Sequence, residues 1–213
     1  MIYIVGVGPG NIEYLTDKAK NLIKNGDIII GSERVLTMIN NYNDIKGKKY
    51  KLGKNLVENL KDIISKNGDK NIVILSTGDP GFSGLLKTVL KHNIVNKNDI
   101  EVVPGISSVQ VAASRLKISW DEYTILTLHG KRENLDVLIK TLHNGGNAIF
   151  LPNNLKEDID YIIKSGIDKN KKMYVCENLT YPNERIIYDK LKNIINMDFS
   201  YMVVCVIKGE DED

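Results

Sequence analysis

The chain has 213 residues, 42% of them hydrophobic, and a formal net charge of +2. That length allows one large domain or two small ones, and that apolar fraction is ordinary for a protein with a real core. Acids and bases are interspersed, which gives no footprint for nucleic acid; Met1 leads almost directly into an apolar segment, so no signal peptide is expected, and no apolar run nears the ~20 residues of a membrane span.

The first predicted element is a buried strand, Ile2-Tyr3-Ile4-Val5, running into Gly6-Val7-Gly8-Pro9-Gly10. Those glycines mark a place where the backbone turns tightly or lets a ligand approach. Thr16 is the predicted N-cap of a helix with Leu15, Ala19, Leu22 and Ile23 on one face, stopped by Gly26. Asp27-Ile28-Ile29-Ile30-Gly31 is a second strand, and Ser32 caps a short helix carrying Val35, Leu36 and Ile39. Residues 40–51 are polar and read as a surface loop. Leu56, Leu60, Ile63 and Ile64 predict an amphipathic helix that ends at Gly68.

A third core strand, Asn71-Ile72-Val73-Ile74-Leu75-Ser76, runs into Thr77-Gly78-Asp79-Pro80-Gly81-Phe82-Ser83-Gly84, followed by a helix with Leu85, Leu86, Val89 and Leu90. Ile100-Glu101-Val102-Val103 ends in Pro104-Gly105-Ile106-Ser107-Ser108, with the serines at a helix start. Strands and helices alternate, and three strands leave through glycine-bearing loops. That pattern predicts a parallel α/β sheet with a ligand edge at the carboxyl ends of its strands.

The second half changes character. A strand over 123–128 leads to His129-Gly130-Lys131-Arg132, and a helix carrying Leu135, Leu138, Ile139 and Leu142 stops at Gly145-Gly146. Asn147-Ala148-Ile149-Phe150-Leu151-Pro152 is a strand with a proline exit, and Ile159, Ile162 and Ile163 suggest a helix before Gly166. Strands over 173–177 and 184–188 flank the turn at Tyr181-Pro182-Asn183, and a last strand covers 201–207. Strands without helices between them imply antiparallel pairing, hence a mixed sheet. The expected organisation is an N-terminal domain over 1–115, a C-terminal domain over 120–208 and an acidic tail over 209–213. Cys176 and Cys205 read as buried free thiols in a reducing cytoplasm. The three histidines lack metal-ligand spacing, so no protein metal site is expected.

Gly6, Gly8 and Gly10 give G-x-G-x-G rather than the G-x-G-x-x-G of a dinucleotide fold, and no P-loop motif is present. Asp79 has two readings: it caps its own turn, or it holds a ligand hydroxyl or amine.

Val5-Gly6-Val7-Gly8-Pro9-Gly10 with Leu15-Thr16, Gly78-Asp79-Pro80 with Phe82, Pro104-Gly105-Ile106-Ser107-Ser108 with Ala112, and Glu177-Asn178-Leu179-Thr180 with Pro182 and Glu184 resemble, in order, the motifs of the tetrapyrrole methylases. The resemblance spans nearly the whole chain. It implies an S-adenosylmethionine-dependent enzyme of two α/β domains, a parallel-sheet αβα domain and a mixed-sheet domain, with the cofactor in a trough between them. It also implies a cytoplasmic homodimer acting on a small-molecule corrinoid precursor, without nucleic acid or membrane. By matching positions, Gly8, Pro9, Asp79, Phe82, Ser107 and Ser108 would line the cofactor site, completed by Leu151, Pro152, Asn178 and Leu179.

Within the family, Gly78 to Gly84, Ile106 to Gln110 with Trp120-Asp121, and Leu128-His129-Gly130-Lys131 most resemble the branch that methylates C5 of cobalt-precorrin-6B in the anaerobic cobalamin pathway. That branch often carries arginine after the His-Gly pair, where this chain has Lys131 followed by Arg132. The chain ends without a second methyltransferase domain, so a separate C5 enzyme rather than a fused C5,C15 enzyme is expected. The implied reaction moves an activated sulfonium methyl to an electron-rich ring carbon, so the protein supplies positioning and water exclusion. Lys131, Arg132, Arg115 and Arg34 either grip substrate carboxylates or are solvated surface charges. His129 either helps remove a proton or is a loop histidine bonded to backbone. Cobalt would arrive inside the substrate. Three alternatives stay open: another precorrin carbon, a protein or RNA methyltransferase of the same fold such as a diphthine synthase or a ribosomal RNA 2′-O-methylase, and a nicotinamide-binding protein.

Overall fold

A computed structural model describes residues 1–40 and 45–209. The tail Glu210 to Asp213 lies outside them. The chain forms two compact units, Met1–Ser107 and Ser108–Asp213.

The first unit is a five-stranded sheet built from β1 (Ile2–Gly6), β2 (Ile28–Gly31), β3 (Lys48–Lys51), β4 (Ile72–Ser76) and β5 (Ile100–Val103). Their order is β3-β2-β4-β1-β5, and every pairing is parallel. Helices α1 (Asp17–Asn25), α2 (Glu33–Asn40), α3 (Leu56–Ser65) and α4 (Leu85–Lys91) join the strands. The inner strands β1, β2 and β4 are apolar almost throughout because both faces are covered. Alternate residues feed different cores. Val5, Ile29, Val73 and Leu75 pack with Ala19, Ile23, Val35 and Ile39 of α1 and α2. Ile4, Ile28, Ile30, Ile72 and Ile74 pack with Leu60, Ile63 and Val89 of α3 and α4.

The predicted caps are in place: Thr16 Oγ1 accepts the Ala19 N–H at 3.2 Å and Ser32 Oγ the Val35 N–H at 3.4 Å. Gly26 ends α1 with φ −69°, outside the left-handed region. Its missing Cβ matters for packing, since one would lie 2.7 Å from Val73 Cγ2. The stretch 40–51 is not all loop. Residues 48–51 form β3, an edge strand paired to β2, whose lysines point to solvent and hide it from apolar periodicity. Residues 41–44 of that stretch are outside the described residues.

In the second unit, β6 (Tyr123–Thr127), β7 (Asn147–Leu151), β8 (Lys172–Glu177), β9 (Arg185–Lys190) and β10 (Val203–Ile207) are ordered β6-β7-β10-β8-β9. Only β6 and β7 are parallel. Phe150, Leu138, Ile159, Ile162, Met173 and Val175 form a core under α6 (Glu133–His143) and α7 (Leu155–Lys164), joined by Leu191 and Ile194 of the short α8 (Leu191–Ile194). Helix α5 (Ser108–Leu116) falls in this unit, packed against β10, whereas the sequence reading groups it with the first domain. Cys176 and Cys205 are free and buried; burial pushes the Cys176 thiol up to about 12 and Cys205 upward as well, which keeps both protonated. No helix of the described residues is long and apolar enough to cross a membrane.

Candidate functional site

In the first unit, the loops after β4, β1 and β5 lie side by side because those strands are neighbours. Gly8 and Gly78 exchange main-chain hydrogen bonds, Gly8 N–H to Gly78 O at 3.3 Å and Gly78 N–H to Gly8 O at 2.9 Å. Both adopt left-handed backbone, with φ of +76° and +64°, which glycine reaches without Cβ strain. Gly6 and Gly105 touch backbone to backbone: a Cβ on Gly6 would lie 2.6 Å from Gly105 Cα and 2.7 Å from Gly78 O.

Asp79 ties this cluster together. Its Oδ1 accepts the Gly81 N–H at 2.8 Å, the turn-capping role, and its Oδ2 accepts the Gly105 N–H at 3.1 Å. A carboxylate has about four lone-pair sites, so acceptor capacity is left for a ligand donor. Pro9 is buried, while Phe82 and Ser107 are half-buried on the same loops. A Cβ on Gly78 would meet only Ser107 Cα, at 3.8 Å, so the β4 loop leaves room beside Ser107. Glycines without Cβ, a carboxylate with spare acceptor capacity and a half-buried aromatic thus share one edge of the sheet. Arg34 reaches this edge from α2, its Nη2 donating to Thr77 Oγ1 at 3.0 Å.

In the second unit, the Leu128 N–H bonds Leu151 O at 2.8 Å, and the loops after β6 and β7 border a cavity of about 420 Å³. Gly130, Lys131, Arg132, Asn153, Asp158 and Tyr161 are among its lining. Lys131 and Arg132 make no ion pair among the described residues, and His129 is exposed beside them. Buried Asp158 reaches back from α7, its Oδ2 accepting the Asn153 and Asn154 N–H groups at 2.7 and 3.2 Å. Burial holds its carboxyl above the usual range despite those bonds. Pro152 is buried, and Leu151 half-buried, at the β7 end. Ser108 opens α5.

The turn after β8 holds Asn178 and Leu179, both buried. Asn178 has φ +49°, donates its N–H to Met202 O at 2.9 Å and accepts Ser200 Oγ–H on Oδ1 at 2.8 Å. Glu177, also buried, is bonded by Arg185 and by the Ser200 N–H. Burial alone raises its carboxyl, but these donors hold it below the usual carboxylate range. Arg115 is engaged by Glu184, Nε to Oε1 at 2.7 Å and Nη2 to Oε2 at 3.3 Å.

Asp158 and Ser200 went unnoticed in the sequence. The signal for Asp158 was an acid four residues after the N-cap Asn154, within reach of the preceding N–H groups. Ser200, in an irregular segment, carries no such signal.

The sequence profile of the Tetrapyrrole (Corrin/Porphyrin) Methylases matches residues 1–195. The chain is 53% identical over 214 residues to a probable cobalt-precorrin-7 C(5)-methyltransferase of Methanocaldococcus jannaschii, covering 100% of both chains. It is 25% identical to the cobalt-precorrin-7 C(5)-methyltransferase of Salmonella typhimurium, covering 97% of this chain and 98% of that one. The crystal structure of the cobalamin biosynthesis precorrin-6Y methylase from Archaeoglobus fulgidus superposes with a TM-score of 0.74 at 25% identity, covering 99% of each chain. With its ordered glycine loops and paired sheets, the chain belongs to the tetrapyrrole methylase family.

Proposed function

We propose that this chain is an S-adenosylmethionine-dependent C-methyltransferase that converts cobalt-precorrin-6B to cobalt-precorrin-7 by methylating C5, in cobalamin biosynthesis. The observation that carries the reading is the 53% identity, end to end, with the methanogen enzyme of that name. S-adenosylmethionine supplies an activated methyl group when bound. Gly8, Pro9, Asp79, Phe82, Ser107 and Ser108 are the proposed contacts to it on the loops after β1, β4 and β5. Leu151, Pro152, Asn178 and Leu179 are the proposed contacts from the second unit.

Lys131 and Arg132, cations lining a cavity without carboxylate partners among the described residues, are the proposed grip on the corrinoid carboxylates. His129 beside them is the proposed group to orient a carboxylate or take a proton. Arg34 and Arg115 already serve Thr77 and Glu184, so their proposed share in substrate binding is secondary. For assembly and location the proposal follows the family: a homodimer in the cytoplasm, its mass measurable by light scattering.

The decisive experiment is calorimetry with S-adenosylhomocysteine, NAD and NADP side by side, followed by turnover of cobalt-precorrin-6B. Micromolar binding of S-adenosylhomocysteine with methyl transfer to C5 is expected. Binding of the nicotinamides alone would overturn the reading, and methylation at another position would move the chain to another branch.

A further inference from the structure

Thr180 has a backbone φ of +72°. For a β-branched residue this is an outlier, because Cβ and its branches crowd the carbonyl in the left-handed region. Among the described residues, the others with positive φ outside glycine are Ser83, Asn93, Lys117 and Asn178, none of them β-branched. Such a conformation persists where its surroundings over-determine it, and these positions cluster at ligand sites.

The surroundings of Thr180 do over-determine it. Its N–H donates to Glu184 Oε2 at 2.6 Å. The Glu184 N–H closes onto Tyr181 O and the Tyr181 N–H onto Asn178 O, each at 3.0 Å. The Glu184 carboxylate is itself fixed by the two Arg115 bonds from α5, which hold it below the usual carboxylate range. The side chains of Arg115 and Glu184 are 39% and 21% exposed. A pair that wet contributes little to global stability. Its effect is local: it locks the carboxylate that accepts the Thr180 N–H.

We propose that Glu184, fixed by Arg115, is a positioning residue of the cofactor site: it clamps Thr180 in the left-handed conformation and so sets the direction of the Asn178-Leu179 peptide groups. This rests on the reading that Asn178 and Leu179 contact S-adenosylmethionine. A glycine at position 180 would reach the same φ without a clamp. That difference makes the proposal testable by a double-mutant cycle.

S-adenosylhomocysteine affinity is measured by calorimetry for the wild type, Glu184→Ala, Thr180→Gly and the double variant. Glu184→Ala is expected to weaken binding about tenfold, the scale of releasing one strained residue. In the Thr180→Gly background the same Glu184→Ala change is expected to cost no more than about twofold. An equal loss in both backgrounds would overturn the proposal, since Glu184 would then act on the ligand or the fold directly. So would a Glu184→Ala variant with wild-type affinity. If Glu184→Ala fails to fold, Arg115→Met runs the same cycle, with about a threefold loss expected that Thr180→Gly again suppresses. A wild type that binds no S-adenosylhomocysteine would instead bring down the underlying cofactor reading, and this inference with it.

Discussion

Asp79 Oδ2 accepts the backbone N–H of Gly105 at 3.1 Å, joining loops 26 residues apart in the chain. Its other oxygen caps the turn at Gly81. Asp79 therefore caps its own turn, as one reading of the sequence expects, and also carries a bond to a second loop. The carboxylate that shapes the loop after β4 also fixes the loop after β5, and Gly8 and Gly78 tie in the loop after β1. One side chain and two glycine hydrogen bonds shape the edge that carries Gly8, Pro9, Phe82 and Ser107 among the proposed cofactor contacts.

Asp79→Ala removes both acceptors. The proposed charge-assisted contact to the ligand is lost as well, and at roughly 1.5–3 kcal/mol it lowers S-adenosylhomocysteine affinity about ten- to a hundredfold. The β4 and β1 strands are held by their own cores, so the protein should stay folded with a lowered Tm. Calorimetry and a thermal melt on one preparation check both. Unchanged affinity would remove Asp79 from the site.

Gly8→Val places a β-branched residue at φ +76°, with its Cβ 3.1 Å from Tyr14 Cβ. Backbone strain alone costs about 1–3 kcal/mol, and the loop must shift. Cofactor binding is expected to be lost while Tm falls only modestly. Gly130→Ala is the control, since φ there is +62° but a Cβ would meet nothing within 4 Å. It is expected to cost about 1–2 kcal/mol of stability and leave S-adenosylhomocysteine binding intact. A Gly8→Val protein that still binds would make the first loop a turn and nothing more.

What the sequence revealed follows from what local chemistry encodes. Ile72 to Ser76 is an apolar run because both faces of β4 are covered, so it was legible without any partner in view. The glycine loops were legible because Gly8 and Gly78 need left-handed backbone. The strand Lys48–Lys51 was not, because an edge strand with exposed side chains is held by main-chain bonds that no side-chain pattern records. The pairing of Arg115 with Glu184 is not legible either, because the two lie 69 residues apart and only the fold brings them together.

The acid limb of stability separates two buried carboxyls. Glu177 is held below its ordinary 4.5, so it contributes stability that is present above about pH 4.5 and lost as pH falls through its lowered value. Asp158 is held above its ordinary 3.8, so its sign is opposite: it costs stability increasingly as pH rises from about 4 and levels off above its raised value. Relative to wild type, Glu177→Gln should be less stable at neutral pH, with the gap closing in acid. Asp158→Asn should gain on wild type as pH rises. Urea midpoints between about pH 3 and pH 8 test both, and curves that stay parallel to wild type would show that neither group titrates differently on folding.

Lys131 and Arg132 allow substrate to be separated from cofactor. Both line the second-unit cavity, with no ion pair among the described residues. If they grip corrinoid carboxylates, the double change Lys131→Ala/Arg132→Ala leaves S-adenosylhomocysteine affinity intact. Turnover of cobalt-precorrin-6B falls instead, because a charge-assisted contact is worth about 1.5–3 kcal/mol in a desolvated site and under about 1 kcal/mol at an exposed one. Arg132 is exposed and Lys131 half-buried, so most of the loss should follow Lys131. The expected phenotype is a raised KM, with kcat lowered as well if the macrocycle is held out of line with the methyl donor. Steady-state kinetics beside a cofactor titration read both. Weakened cofactor binding with KM unchanged would assign this loop to the other ligand, and wild-type behaviour in both would return the pair to the solvated surface.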